Sequence, residues 1–324
     1  MNDGARAVPQ RYGITVPFEG LPLHAHADWF KEVADLGYTD VWSAESGSHD
    51  AFTPLALAAA WEPRLRLGTA IVPAYTRGPA TLAECAASLA QAAPGRFALG
   101  IGTSSDVIVE RWNAMTFDRP YQRVRDTIAF LRAAFAGEKV TETYETFEIK
   151  GFRLGFALEA HEVPPILVAA LRPGMLRLAG READGAIVNW LSADDVGTVV
   201  PHVGAGKEIA ARIFVMPSTD RDTVNYVGKR AIAAYMNVPV YRAFHEWLGR
   251  DSLQGMWDAW EAGDRAAAVE GIPDHVVDEL IVHGTGEACR SHIQRYIDNG
   301  VTTPAPAVFP VGMDVREAIR AIAP

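Results

Sequence analysis

The chain has 324 residues, 49% hydrophobic and 22% charged, with 28 glycines and 20 prolines. That balance excludes a mainly disordered or collagen-like chain. Thirty Lys plus Arg against 40 Asp plus Glu give a net charge of -10, which argues against nucleic acid as a partner.

Read in chain order, short apolar runs alternate with helical patterns. Residues 12–17 (YGITVP) read as the first strand. Residues 23–36 read as an amphipathic helix, with Leu23, Ala27, Phe30, Val33 and Ala34 on one face and Gly37 as its stop. DVWSA (40–44) is the second strand and is followed by a helix over about 54–61. LRLGTAIV (65–72) is the third strand, followed by the alanine-rich helix 79–92, and RFALGIG (96–102) is the fourth strand. Tyr121, Val124, Ile128, Leu131 and Phe135 then recur at intervals of three and four, the clearest helix in the chain. ILVAA (166–170), GAIVN (185–189), IAARIFVMP (209–217) and PAPAVFP (304–310) are the remaining strands. A short helix is expected at 174–180, helices across most of 220–298, and a terminal helix at 313–322.

This alternation implies a parallel sheet, and eight such units imply a (β/α)8 TIM barrel. The expectation is therefore one domain over 1–324, an α/β fold with insertions after strands four and seven, at about 138–163 and 218–282. The first contains YETFEIKGFRL (144–154), which reads as a small hairpin or irregular excursion; the second, with Trp247, Trp257 and Trp260, reads as a helical cap. A doubly wound sheet competes, but its GxGxxG signal after the first strand is absent. No window is apolar enough for a membrane span, and the N-terminal MNDGARAVPQRYG lacks the run of a signal peptide. Cys85 and Cys289 fit neither a metal spacing nor a disulfide framework, so the expected compartment is the reducing cytoplasm.

Barrel active sites lie at the C-terminal ends of the strands. Here those ends bring Glu45, Ala70, Ile71, Val72, Gly102, Thr103, Ala170, Leu171, Arg172, Asn189 and Trp190 to one rim. The rim has no His/Asp/Glu cluster, GxSxG or CxxC, so no metal is expected. Such a rim suits a bound organic cofactor, and equally a non-catalytic binding protein. ALRPGML (170–176) places Pro173 at a helix start, where its missing N–H costs nothing, and Gly174 permits close approach. Free first-turn N–H groups there cradle an anion, and Arg172 adds a charge-assisted contact. The same segment also reads as an ordinary helix start with a surface arginine. The serines after Gly102 read as turn and cap residues, and His24, His26, His49, His202 and His283 as surface or capping groups.

Five segments, in order, resemble the bacterial luciferase-like monooxygenase superfamily, and within it the branch using the deazaflavin coenzyme F420. They are GYTDVWSAES (37–46), LRLGTAIVPAYTRGPATLAE (65–84), GRFALGIGTSSDVIVERWN (95–113), VPPILVAALRPGMLRLAGREADGAIVNWL (163–191) and HGTGEACRSHIQRYIDNGV (283–301). The resemblance implies a single barrel with the cofactor across the strand ends and a non-proline cis peptide between Ala70 and Ile71. It implies a ring pocket using Glu45, Gly102 and Thr103, and a phosphate seat over Leu171, Arg172, Pro173, Gly174 and Met175. It implies hydride transfer at the deazaflavin C5. Alternatives are a flavin mononucleotide (FMN) monooxygenase of the same fold, served by a flavin reductase, and a non-catalytic cofactor-binding protein. A small-molecule substrate, a homodimer, and an F420 or flavin reductase as redox partner are expected; nucleic acid and membrane are not.

The chain departs from the branch at one position. F420-dependent dehydrogenases carry Asp-His at the end of strand two, where this chain has Glu45-Ser46. The acid/base histidine is missing, His49 is the nearby replacement, and the reductase direction is favoured. Phe18, His49, Trp112, Asn113 and Trp190 are expected to line the substrate pocket, and Arg77 and Arg111 to add positive potential beside Arg172.

Overall fold

Eight short parallel strands carry the fold: β1 (Gly13–Thr15), β2 (Asp40–Ser43), β3 (Arg66–Thr69), β4 (Phe97–Gly102), β5 (Ile166–Ala169), β6 (Gly185–Asn189), β7 (Glu208–Met216) and β8 (Thr303–Val308). The structure, a computed structural model, describes residues 8–324. Each strand pairs in parallel with the next, from Gly13 opposite Asp40 to Ala210 opposite Thr303. The sheet curls until β1 lies beside β8, where Arg11 N–H donates to Thr302 O at 2.9 Å and Thr15 Oγ1 to Ala305 O at 3.3 Å. This is the strand order expected of a barrel.

The strands read as continuous apolar runs because both faces are covered, and all six residues of β4 are buried. Helices α1 (Ala27–Asp35), α2 (Phe52–Trp61), α3 (Pro79–Ala92), α4 (Pro120–Phe135) and α5 (Pro173–Glu182) follow the first, second, third, fourth and fifth strands. The N-terminal end of the sheet is plugged by charge. Arg66 Nη1 reaches Asp40 Oδ2 at 3.0 Å and Glu208 Oε1 at 2.7 Å, and Thr303 Oγ1 donates to Glu208 at 2.9 Å. These are the first residues of β3, β2, β7 and β8, so one buried network ties four strands at the same level.

The elements differ from the sequence reading in three places. The first expected helix splits: Leu23–Ala25 is a 3₁₀ turn and α1 begins only at Ala27. The third expected strand breaks after Thr69 and resumes at Val72–Pro73. The expected helical stretch 220–298 contains a short parallel strand, Ile281–His283, on the end of β7.

An antiparallel hairpin, Val140–Thr143 with Glu148–Phe152, stands between β4 and β5, pinned by Phe130 of α4 against Tyr144, Phe147 and Phe152. Helix α6 is short (Val196–Val199). Helices α7 (Arg221–Met236), α8 (Pro239–Trp247), α9 (Gln254–Glu261), α10 (Arg265–Glu270) and α11 (Asp274–Leu280) stand between β7 and β8, before α12 (Gly286–Asp298). The chain closes with α13 (Val315–Ala321). Helices α7, α9, α10 and α11 build a second apolar cluster around Ile232, Met236, Met256, Trp257 and Val276, which continues through Trp190 and Phe214 into the strand ends.

Candidate active site at the strand C-termini

The third strand is modified where it meets the rim. Gly68 lies opposite Ala98, but Val72 lies opposite Ile101, so β3 carries one residue more than β4 between those pairs. The extra residue is accommodated as a bulge at Ala70 and Ile71, joined by a cis peptide as the resemblance implies. The interrupted ladder is repaired by a side chain: Gly100 N–H donates to Thr69 Oγ1 at 2.7 Å, and that hydroxyl donates to Gly100 O at 2.8 Å. Strand β2 supports the other side. Ala70 N–H donates to Ser43 O at 2.6 Å, and Glu45 N–H to Ile71 O at 3.1 Å. Gly102 is required by packing, since a Cβ there would sit 2.8 Å from Ala169 Cβ and 3.0 Å from Ile71 Cδ1. Ala70, Ile71 and Thr103 stay partly exposed, Val72 and Ala170 are buried, and Ser104 turns the chain at φ 61°.

Glu45 has a partner that its sequence position concealed. Arg77 Nη2 and Nε donate to Glu45 Oε1 at 2.7 and 3.1 Å, and Ala51 N–H adds a third bond at 3.3 Å. The Arg77 guanidinium also lies over the Phe52 ring, 5.1 Å from its centroid. Arg77 is thus occupied by Glu45, contrary to its expected role as free positive potential. Arg111 is likewise engaged, 3.6 Å from Asp106 on the surface. His49 sits exposed on the loop between β2 and α2.

Helix α5 begins as expected, with Pro173 in its first turn and no side chain capping it. Its first N–H groups have no intrahelical acceptors. Space beside Gly174 is open, Arg172 is exposed, and Leu171 and Met175 are half-buried against the core.

Across from it lies a buried aromatic cluster, and Trp190, expected to line the pocket, is only 1% exposed within it. Trp190 follows β6 at φ 52°, and its ring stacks on Phe214 at 4.0 Å and meets Tyr235 of α7 at 4.8 Å. Phe214 also stacks on Phe309 at 5.7 Å. Asn189 Nδ2 donates to Tyr241 Oη of α8 at 3.0 Å, and burial pushes the Tyr241 phenol up to about 12. Arg212, which the sequence reading missed, stands in the middle of β7 with its guanidinium 4.9 Å from the Phe214 centroid. Its signal was a lone arginine inside an otherwise apolar strand run.

Other expected lining residues sit elsewhere. Phe18 is buried against Trp29 and His26, and its N–H donates to His26 Nε2 at 3.0 Å. Accepting there leaves the His26 proton on Nδ1, facing Pro22 O at 3.1 Å; burial holds this neutral imidazole below its usual range. Phe18 and His26 therefore form a structural corner. Trp112 is 58% exposed and lies against Gly47, so the loops after β2 and β4 meet at the rim. Asn113 is exposed and spends its amide on Ile108 O at 2.8 Å. Among the described residues, no group of three or more His, Cys, Asp or Glu is placed to hold a metal ion, and no helix is long and apolar enough to cross a membrane.

A family model described as luciferase-like monooxygenase matches residues 7–303. The chain is 26% identical to a 5,10-methylenetetrahydromethanopterin reductase of Methanolobus tindarius, over 93% of this chain and 95% of that one. It is 28% identical to a Mycobacterium tuberculosis protein named as a coenzyme F420-dependent oxidoreductase, over 90% and 93%. Among solved structures, the coenzyme F420-dependent tetrahydromethanopterin reductase of Methanopyrus kandleri superposes with a TM-score of 0.78 at 19% identity, covering 98% of each chain.

Proposed function

Because the chain belongs to the luciferase-like monooxygenase family, we propose that it is an F420-dependent oxidoreductase acting on a small organic substrate. Its single domain, residues 1–324, is a (β/α)8 barrel with insertions at about 138–163 and 218–282. The observation that carries the reading is a pairing at one end of the sheet. A bulged floor at Ala70 and Ile71 shares that end with an uncapped helix start beside the exposed Arg172. The name of the Mycobacterium tuberculosis relative supports the choice of cofactor.

The residues present fit the group. Leu171, Arg172, Pro173, Gly174 and Met175 would hold its phosphate, since uncapped N–H groups and an arginine complement an anion. Ala70, Ile71, Val72, Gly102, Thr103 and Ala170 would line the ring seat, flanked by Glu45 and Asn189. When bound, the deazaflavin supplies a two-electron hydride donor or acceptor. The chain's own work is to orient the reactants and exclude water. The loops carrying Gly47 and Trp112 meet at the rim and serve the second task.

Glu45, held by Arg77, acts as a fixed acceptor, and His49 is the imidazole available to move a proton. Ser46 in place of an acid/base histidine favours the reductase direction, in which an activated double bond or imine needs less proton assistance. A homodimer and a reductase that reloads the cofactor complete the reading. Titration of the purified protein with F420 and with FMN tests it. Preferential FMN binding with oxygen uptake on turnover would move the chain to the monooxygenase reading.

A further inference from the structure

The throat of the sheet, just below the rim, is lined by small and apolar residues together with Thr15, Trp42, Ser43, Ala70 and Arg212. It keeps about 10 Å³ of open space, room for one water-sized group. No carboxylate lines it. Two of its lining residues carry buried N–H donors without hydrogen-bond partners, Arg212 Nε and Trp42 Nε1. Its two hydroxyls spend their protons on backbone carbonyls: Thr15 on Ala305 O at 3.3 Å and Ser43 on Ala51 O at 2.5 Å.

A buried donor without a partner costs about 1–3 kcal/mol. Arg212 as a residue is only partly buried, so this cost falls on its Nε and not on the whole guanidinium. Arg66, at the other end of the sheet, shows how this chain treats an inner arginine that only holds the fold, closing it between Asp40 and Glu208. Arg212 receives no such partner among the described residues; its guanidinium lies against the face of Phe214. The chain therefore holds a part-buried guanidinium without a carboxylate partner beside a cavity with room for one water-sized group.

We propose that Arg212 receives a carboxylate of the substrate. The side of the site decides between substrate and cofactor. Strand β7 lies four places from β3 around the eight-strand order, so Arg212 faces the bulge at Ala70 and Ile71 from across the throat. A ring seated on the bulge presents its free face to Arg212. This assignment deepens the oxidoreductase reading by naming the substrate class, a carboxylic acid, and it rests on that reading for the orientation of the ring.

The test uses benzoate and its neutral counterpart benzamide, titrated calorimetrically into the F420-loaded protein and into Arg212→Met and Arg212→Lys variants. Benzoate should bind the wild-type protein at least about tenfold more tightly than benzamide. Arg212→Met should abolish that preference, Arg212→Lys should keep part of it, and F420 affinity should stay within about threefold throughout. Equal binding of the two probes to wild type, or a preference that survives Arg212→Met, overturns the proposal. So does a loss of F420 affinity in Arg212→Met with the benzoate preference intact, which would assign the arginine to the cofactor seat. If wild type fails to bind F420 but the free protein prefers benzoate through Arg212, the carboxylate site stands and the cofactor reading falls.

Discussion

Arg77 Nη2 stands 2.7 Å from Glu45 Oε1, a largely buried ion pair that joins the end of β2 to the loop before α3. The pair fixes the Glu45 side chain, and the Glu45 backbone N–H in turn holds Ile71 O of the bulge. Arg77→Met leaves a part-buried carboxylate with only the Ala51 N–H as donor and should lower unfolding free energy by about 1–3 kcal/mol. Glu45→Gln keeps an acceptor for Arg77 and should cost less. Urea denaturation of both variants reads the difference; equal costs would mean that the carboxylate charge contributes nothing here.

The two glycines of β4 near the bulge should fail in different degrees. A Cβ on Gly100 would lie 1.9 Å from Thr69 O, a backbone atom that cannot yield without moving the strand. A Cβ on Gly102 meets the side chains of Ala169 and Ile71 instead. Gly102→Ala should therefore fold with a loss of about 1–3 kcal/mol, the usual range for overpacking, and Gly100→Ala should lose more. Thermal melts rank them; the reverse order would contradict the packing described.

Stability should fall on mild acidification. His245, fully buried on α8, has its pKa lowered to about 3 by burial and by the Arg250 guanidinium, whose Nη1 donates to His245 Nδ1 at 2.8 Å. An unfolded histidine titrates near 6.5, so between about 6.5 and 3 the unfolded chain binds a proton that the native state refuses. The sign is that of a depressed folded pKa: the stabilisation is complete above the unfolded value and is lost as pH falls. Chemical denaturation between pH 7 and pH 5 should show a decline approaching about 1.4 kcal/mol per pH unit from this residue. His245→Gln, which retains an acceptor for Arg250 and does not titrate, should reduce that slope. An unchanged slope would remove His245 as its source.

Much of the architecture was legible because strands covered on both faces leave continuous apolar runs, and all eight parallel strands fall on runs read as strands. The strand Ile281–His283 was not: three residues at the end of α11 carry no period of their own. The site was legible where backbone chemistry writes itself into residue type, as at Pro173 and Gly174. It was illegible where a side chain's partner lies far along the chain. Arg77 looked like free charge because nothing near it in sequence shows that Glu45 occupies it. Phe18 looked like a pocket residue because its packing on His26 depends on the turn between them. Arg212 went unread although a charged residue in a strand buried on both faces is itself the signal of an inner polar site.

The most direct test of the cofactor is the affinity of the purified protein for F420 against FMN, read by cofactor fluorescence, with Arg172→Ala alongside. Wild type should bind F420 at least about tenfold more tightly than FMN, a difference of about 1.4 kcal/mol. Arg172 is exposed, so Arg172→Ala should weaken F420 binding by about 1–3 kcal/mol without lowering the melting temperature. Tighter binding of FMN than of F420 would contradict the account.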